Sequence, residues 1–286
     1  MSRPGGVGFR AQLMAAQARQ GSMLCVGLDP EPANFPAPWQ HDARHIFDFC
    51  AAIVAATADL VCAYKPQVAF FAAHRAEDQL ERLVAHIHAV APGVPVILDA
   101  KRGDVGSTAR QYALEAFERY RADALTLSPF LGLDSIEPYM PYTGKGLILL
   151  CRTSNAGGSD IQSLALAQPE VPGERVFERI ARLAAGPWST HHQGAELGLV
   201  VGATYPQELS RVRQLAPALP LLVPGLGAQG GDARATVQAG WRPQGPIVVS
   251  SSRAVLYASA GPDFAQAARD VARAAKDQLQ QALPGP

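Results

Sequence analysis

Between residues 94 and 112 the chain reads VPVILDAKRGDVGSTARQY, and Asp99, Lys101, Arg102 and Asp104 put four charges into six positions directly after an apolar run. Two carboxylates interleaved with cations at the end of a buried strand are suited to holding charge where a reaction develops it, because fixed opposite charges keep each other ionised. If the strand persists that far, its two-residue period aims Asp99 and Lys101 the same way, at ion-pair distance. The plain alternative is a solvated turn with incidental salt bridges, and it does not explain why Asp-x-Lys-x-x-Asp follows an all-apolar strand. Arg102-Gly103-Asp104 also spells a cell-adhesion tripeptide, but one too short to carry weight in a chain with nothing else that looks secreted.

Other polar residues fall in comparable places, just beyond short apolar runs. Asp29 follows 23–28, Lys65 follows 60–64, Ser154 follows 146–151, Gln229 follows 219–223, and Ser252 and Arg253 follow 247–250. The stretch 224–232, PGLGAQGGD, matches G-x-G-x-x-G, a weak signal alone. Here it opens a late unit, and the next strand ends in serines without the acid that a dinucleotide ribose needs, so a dinucleotide-dependent oxidoreductase is disfavoured. Gly225, Gly227 and Gly230 still leave backbone N–H groups open to an anion, and an arginine fork at 253 suits phosphate oxygens.

These positions require strands that end at a common mouth. The apolar runs at 23–28, 60–64, 94–98, 124–127, 146–151, 196–201, 219–223 and 247–250 are expected to be eight strands. Helical patterns separate them, including a leading helix over 9–21, a helix begun by Ser107 or Thr108, and a closing helix over 263–283. This alternation predicts a single (β/α)₈ barrel, an α/β TIM barrel over 1–286, and the doubly wound sheet is its rival. The barrel is favoured because its active sites lie at the C-terminal ends of the strands, with phosphate held after strands seven and eight. Residues 155–173 are expected to form an extended loop after strand five with no period of their own, and a loop of that length is more often functional or disordered than a mere connector.

Composition narrows the function. Lys plus Arg and Asp plus Glu number 25 each, so no overall field favours nucleic acid or an anionic membrane. Four scattered cysteines (Cys25, Cys50, Cys62, Cys151) without a CxxC pair read as reduced core residues of a cytoplasmic protein, and no spanning segment or signal-type core is apparent. The seven histidines include no HExxH, no serine sits in a nucleophile elbow, and no metal site is expected.

Asp29, Lys65-Pro66, the Asp99 to Asp104 elbow, the Pro224 to Gly231 loop and Ser252-Arg253, in this order over nearly the whole chain, resemble the orotidine 5′-phosphate decarboxylases, in particular their longer bacterial (type 2) form. Asp-x-Lys-x-x-Asp alone is shared with related sugar-phosphate decarboxylases and aldolases. Lys65, where the metal-using ketogulonate-phosphate branch has an acid, favours the metal-free nucleotide enzyme.

The resemblance implies decarboxylation of orotidine 5′-monophosphate to uridine 5′-monophosphate with no cofactor. It implies that Asp29 and Lys65 bind the ribose hydroxyls, that Asp99 faces the substrate carboxylate and that Lys101 protonates carbon 6. Ser154 would read the pyrimidine edge, and Gln229 and Arg253 would hold the 5′-phosphate. Asp104 and Thr108 would reach into a partner's site, so the active form would be a homodimer with Lys65, Asp99, Lys101 and Asp104 as one charged array. A metal-assisted sugar-phosphate enzyme on the same barrel and a catalytically silent scaffold remain as alternatives.

Overall fold

The computed structural model describes residues 7–168, 170–191, 194–225 and 231–284. Eight parallel strands, β1 (Leu24–Leu28), β2 (Ala63–Pro66), β3 (Ile97–Arg102), β4 (Ala124–Leu127), β5 (Gly146–Arg152), β6 (Glu196–Val201), β7 (Leu221–Pro224) and β8 (Ile247–Ser251), run in the order β2-β1-β8-β7-β6-β5-β4-β3. Isolated parallel bridges Tyr64↔Val96 and Gln67↔Asp99 join β2 to β3 and close the sheet on itself. The protein is a (β/α)₈ TIM barrel, as the alternating pattern predicts.

Helices α1 (Phe9–Gln20), α2 (Ile46–Thr57), α3 (Glu77–Val90), α4 (Gly106–Leu114), α5 (Val176–Ala185), α6 (Pro206–Leu215), α7 (Ala233–Gly240) and α8 (Phe264–Gln281) accompany the strands. They form because their apolar residues recur at helical spacing. In α3, Leu80, Leu83, Val84 and Ile87 are all fully buried on one face. Gly21, at φ 53°, ends α1 in the left-handed conformation that glycine adopts at no steric cost.

The strands are buried on both sides, hence their continuous apolar runs. Outward side chains pack under the helices, while Cys25, Ala63, Ile97, Ala124, Ile148, Val200, Leu222 and Val248 fill the interior. Helix α1 supplies Phe9 and Leu13 to that interior cluster, and Phe9 lies against Gly146, where a Cβ would come within 2.4 Å of the ring. The leading helix thus plugs the end of the barrel where the strands begin and leaves the opposite mouth for chemistry.

Several boundaries differ from the sequence expectation. β3 begins at Ile97 rather than Val94 and continues through the charged residues to Arg102, and α4 starts at Gly106, ahead of Ser107 and Thr108. Gly106 has φ 58°, so the chain enters α4 through a left-handed residue that glycine adopts without steric cost. The second strand covers 63–66, not 60–64, because Leu60 and Val61 are buried as part of the approach from α2 and not as ladder residues. Three short 3₁₀ segments lie between Pro129 and Tyr139, after β4.

The segment after β5 opens with a 3₁₀ turn at Ala156–Asp160, and Ala165 bridges Arg175 antiparallel ahead of α5.

Candidate active site

At the C-terminal mouth lies a cavity of about 610 Å³, lined by Lys65, Asp99, Lys101 and Thr126 on one side and by Thr153, Ser154, Gln162, Val176 and Ile180 on the other. Asp99 is its centre. Lys65 Nζ donates to Asp99 Oδ2 at 2.8 Å and Lys101 Nζ donates to Asp99 Oδ1 at 2.8 Å. The Lys65 and Asp99 side chains are 7% and 9% exposed, whereas that of Lys101 is 47% exposed and open to the cavity.

Burial by itself would raise the pKa of Asp99. The charges of Lys65 and then Lys101, with their hydrogen bonds, outweigh it and hold the carboxyl well below the usual range. Burial likewise disfavours the Lys65 ammonium, but the charge of Asp99, then that of Asp29, and the bond to Asp99 reverse the effect and raise its pKa. The pair is therefore charged across the neutral range.

Asp29 stands past the end of β1, close enough to Lys65 to contribute to its charge balance, and its Oδ1 is buried without a hydrogen-bond partner among the described residues. An acceptor in that condition suits a ligand hydroxyl. Its backbone carbonyl accepts a bond from Tyr257 Oη at 2.8 Å, which ties the end of β1 to the segment after β8.

On the same side of the mouth, Ser252 crosses Gly27 so closely that a Cβ there would collide with the serine Oγ. Arg253 follows directly, exposed at the start of the helical turn Arg253–Leu256 past the end of β8. Gly225 has φ 101° just past the end of β7, and the N–H of Gly231 donates to the Gly225 carbonyl at 3.1 Å. Gly227, Gln229 and Gly230, expected at a phosphate, lie outside the described residues.

Two expected residues are not in the bonded cluster. Asp104 Oδ1 accepts the N–H of Val105 at 2.8 Å and forms no ion pair among the described residues, so one chain brings together Lys65, Asp99 and Lys101 without it. Past the end of β3, Asp104 is half-buried and Thr108, in the first turn of α4, is exposed. Ser154 lines the cavity, with Gly202 so close behind it that a Cβ would lie 2.7 Å from the Ser154 Cα.

Sequence reasoning missed Thr126, whose hydroxyl donates to Asp99 Oδ1 at 2.9 Å. A threonine in an apolar strand reads as an ordinary β-former and carries no local signal. It also missed Arg152, fully buried at the end of β5. Its guanidinium lies 4.0 Å from the Tyr205 ring centre, pairs with Glu208 and donates to Ser159 Oγ at 2.9 Å. Gln162 accepts the Thr153 N–H at 2.9 Å and donates to its Oγ1 at 2.9 Å. These bonds seat the loop after β5 on the cavity wall.

Among the described residues, no three His, Cys, Asp or Glu side chains gather as a metal would require, and no helix is long and apolar enough to cross a membrane. All four cysteines are free and buried.

Comparison with known proteins agrees with this geometry. Residues 22–276 match the Orotidine 5′-phosphate decarboxylase / HUMPS family. The chain is 67% identical over 275 residues to the orotidine 5′-phosphate decarboxylase of Paracidovorax citrulli, covering 96% of this chain and 98% of that one. It is 66% identical over 263 residues to that of Methylibium petroleiphilum, covering 90% and 93%. Among solved structures, the OMP decarboxylase of Leishmania donovani superposes with a TM-score of 0.79 at 35% identity, covering 96% of this chain and 100% of that one. The UMP synthase of the same organism superposes at 0.82 with 36% identity, and there the chain spans 58% of the longer protein. By sequence and by fold, the chain belongs to the orotidine 5′-phosphate decarboxylase / HUMPS family.

Proposed function

We propose that the protein decarboxylates orotidine 5′-monophosphate to uridine 5′-monophosphate and carbon dioxide, the step that completes UMP synthesis, with no metal or organic cofactor. The observation that carries the proposal is the Lys65–Asp99–Lys101 array, with two ammoniums at 2.8 Å from one buried carboxylate at the wall of a nucleotide-sized cavity. Loss of carbon dioxide from carbon 6 leaves an electron pair in the plane of the ring, where the π system cannot delocalise it. The site must therefore meet localised negative charge with a cation already in place. Lys101 is that cation: its ammonium stabilises the developing pair and then transfers a proton to carbon 6. Asp99, beside the departing carboxylate, repels it, and the repulsion ends when carbon dioxide leaves.

Lys65 keeps Asp99 ionised and, with Asp29, takes the ribose hydroxyls. Ser154 reads the pyrimidine edge, and Ser252, Arg253, Gln229 and the backbone N–H groups around Gly225, Gly227 and Gly230 hold the phosphate. Binding energy from that remote phosphate is realised in the transition state when the loops close. The chain acts as a homodimer in which Asp104 and Thr108 complete the partner's array. The absence of an ion pair at Asp104 among the described residues, the exposure of Thr108 and the exposed apolar side chains of Val105, Phe130 and Leu131 support this arrangement. Four buried thiols and the absence of a charge field support a cytoplasmic enzyme that needs neither nucleic acid nor membrane.

The test is the absorbance change of orotidine 5′-monophosphate mixed with EDTA-treated protein. Conversion to uridine 5′-monophosphate at an undiminished rate is expected. Activity only on a sugar phosphate, and only with added magnesium, would overturn the proposal and assign the barrel to the metal-using branch.

A further inference from the structure

Thr126 uses its whole hydrogen-bonding capacity on the segment that carries the reacting pair. A hydroxyl has one proton and two lone pairs. Here the proton goes to Asp99 Oδ1 at 2.9 Å, and the oxygen accepts the backbone N–H groups of Ala100 and Lys101, each at 3.0 Å. The register between β3 and β4 shifts between Leu98 and Arg102, and there the Thr126 side chain receives two consecutive donors, which a regular strand would point to opposite sides. At the same place Lys101 has φ 47°, a left-handed conformation that an L-residue keeps only where its surroundings hold it. Thr126 itself is 1% exposed and lines the cavity.

We propose that Thr126 is a positioning residue for the decarboxylation, which fixes the carboxylate plane of Asp99 and the strained backbone of Lys101 in a single contact. With Oδ1 held by Thr126 and Lys101, and Oδ2 by Lys65, the carboxylate cannot rotate. With its amide anchored, Lys101 must send its ammonium back along β3 toward Asp99. Thr126 does not touch the reacting atoms, and its effect passes through the other two residues. The inference rests on the reading of Asp99 and Lys101 as the reacting pair.

The experiment compares steady-state kinetics of Thr126→Val, Thr126→Ser and Lys101→Ala on orotidine 5′-monophosphate, each checked for folding by circular dichroism. Valine keeps the shape and removes the hydroxyl, so kcat falls on the order of 10²-fold, as a small misplacement of a reacting group costs, while KM stays within about threefold. Serine keeps the hydroxyl and restores kcat to within about fivefold of the parent. Near-parental kcat in Thr126→Val beside an inactive Lys101→Ala overturns the positioning role and leaves the proposed function standing. Parental turnover in Lys101→Ala overturns the assignment of the reacting pair itself. Should the valine variant fail to fold, the serine variant decides alone, since a loss above about tenfold in folded protein that still has its hydroxyl refutes the idea.

Discussion

Asp99→Asn is the most informative single change, because it removes the negative charge on which two ammoniums depend while leaving side-chain volume unchanged. An amide offers one oxygen where the carboxylate offered two, and its NH₂ must then face a cation. Lys101, half exposed, turns toward solvent, but Lys65 is enclosed and keeps Asp29 as its nearby acid, without a hydrogen bond to it among the described residues. Removing one partner of a buried pair costs about 3–5 kcal/mol. With unfolding entropy of about 2.1 cal/mol/K per residue, a chain of 286 residues has about 0.6 kcal/mol/K in total, so Tm falls by about 5–8 °C at neutral pH.

The pH dependence adds a second signature. In the parent, the contribution of Asp99 is fully present above the unfolded aspartate pKa of about 3.9 and is lost as pH falls through the lower folded value. Lys65, with its raised pKa, contributes fully below about 10.4 and loses that contribution only as pH rises through a still higher folded value. In Asp99→Asn the attraction of Asp99 is lost while burial and the charge of Asp29 remain, so the folded pKa of Lys65 falls from its raised value. Above that lowered value the Tm gap to the parent narrows as pH rises from neutrality through the alkaline range. Differential scanning fluorimetry across that range measures both effects. A Tm loss below about 1 °C, or a gap that does not change with pH, would refute the claim that this pair is desolvated.

Other expectations concern the substrate. Lys101→Ala abolishes turnover while calorimetry still detects binding of uridine 5′-monophosphate, and a near-parental kcat would remove Lys101 from the proton-donor role. Arg253→Ala loses a charge-assisted fork to the phosphate and raises KM by about 10- to 10²-fold, whereas an unchanged KM would move the phosphate site elsewhere. Mixing inactive Lys101→Ala and Asp104→Ala proteins under conditions of subunit exchange restores about a quarter of parental activity, because half of the dimers then contain one intact site of two. No recovery would mean that each site is built within one chain.

The barrel was legible because burial on both faces leaves a strong mark, and the runs at 124–127 and 196–201 coincide with β4 and β6 to the residue. Boundaries failed where a buried apolar residue serves an approach instead of a ladder, as at Leu60 and Val94. The meeting of Asp99 with Lys101 was expected from simple alternation, but Lys101 reaches it through positive φ and a register shift, which sequence does not announce. Thr126 was invisible because its role depends on which strand lies beside β3. Arg152 and Gln162 were likewise illegible, since a 155–173 segment rich in Gly, Ser, Gln and Pro shows no period even when buried bonds fix its first turns.

The joint between β2 and β3 depends on two isolated bridges where the other neighbouring strands are joined by ladders, and Lys65 and Asp99 face each other across it. The pair therefore works as a rivet as well as a proposed reagent. Drift in either residue would loosen the cylinder at this discontinuous joint in the same event that disturbs the site. Variants with a damaged active site would tend to be removed as poorly closed proteins before their poor turnover was ever exposed to selection.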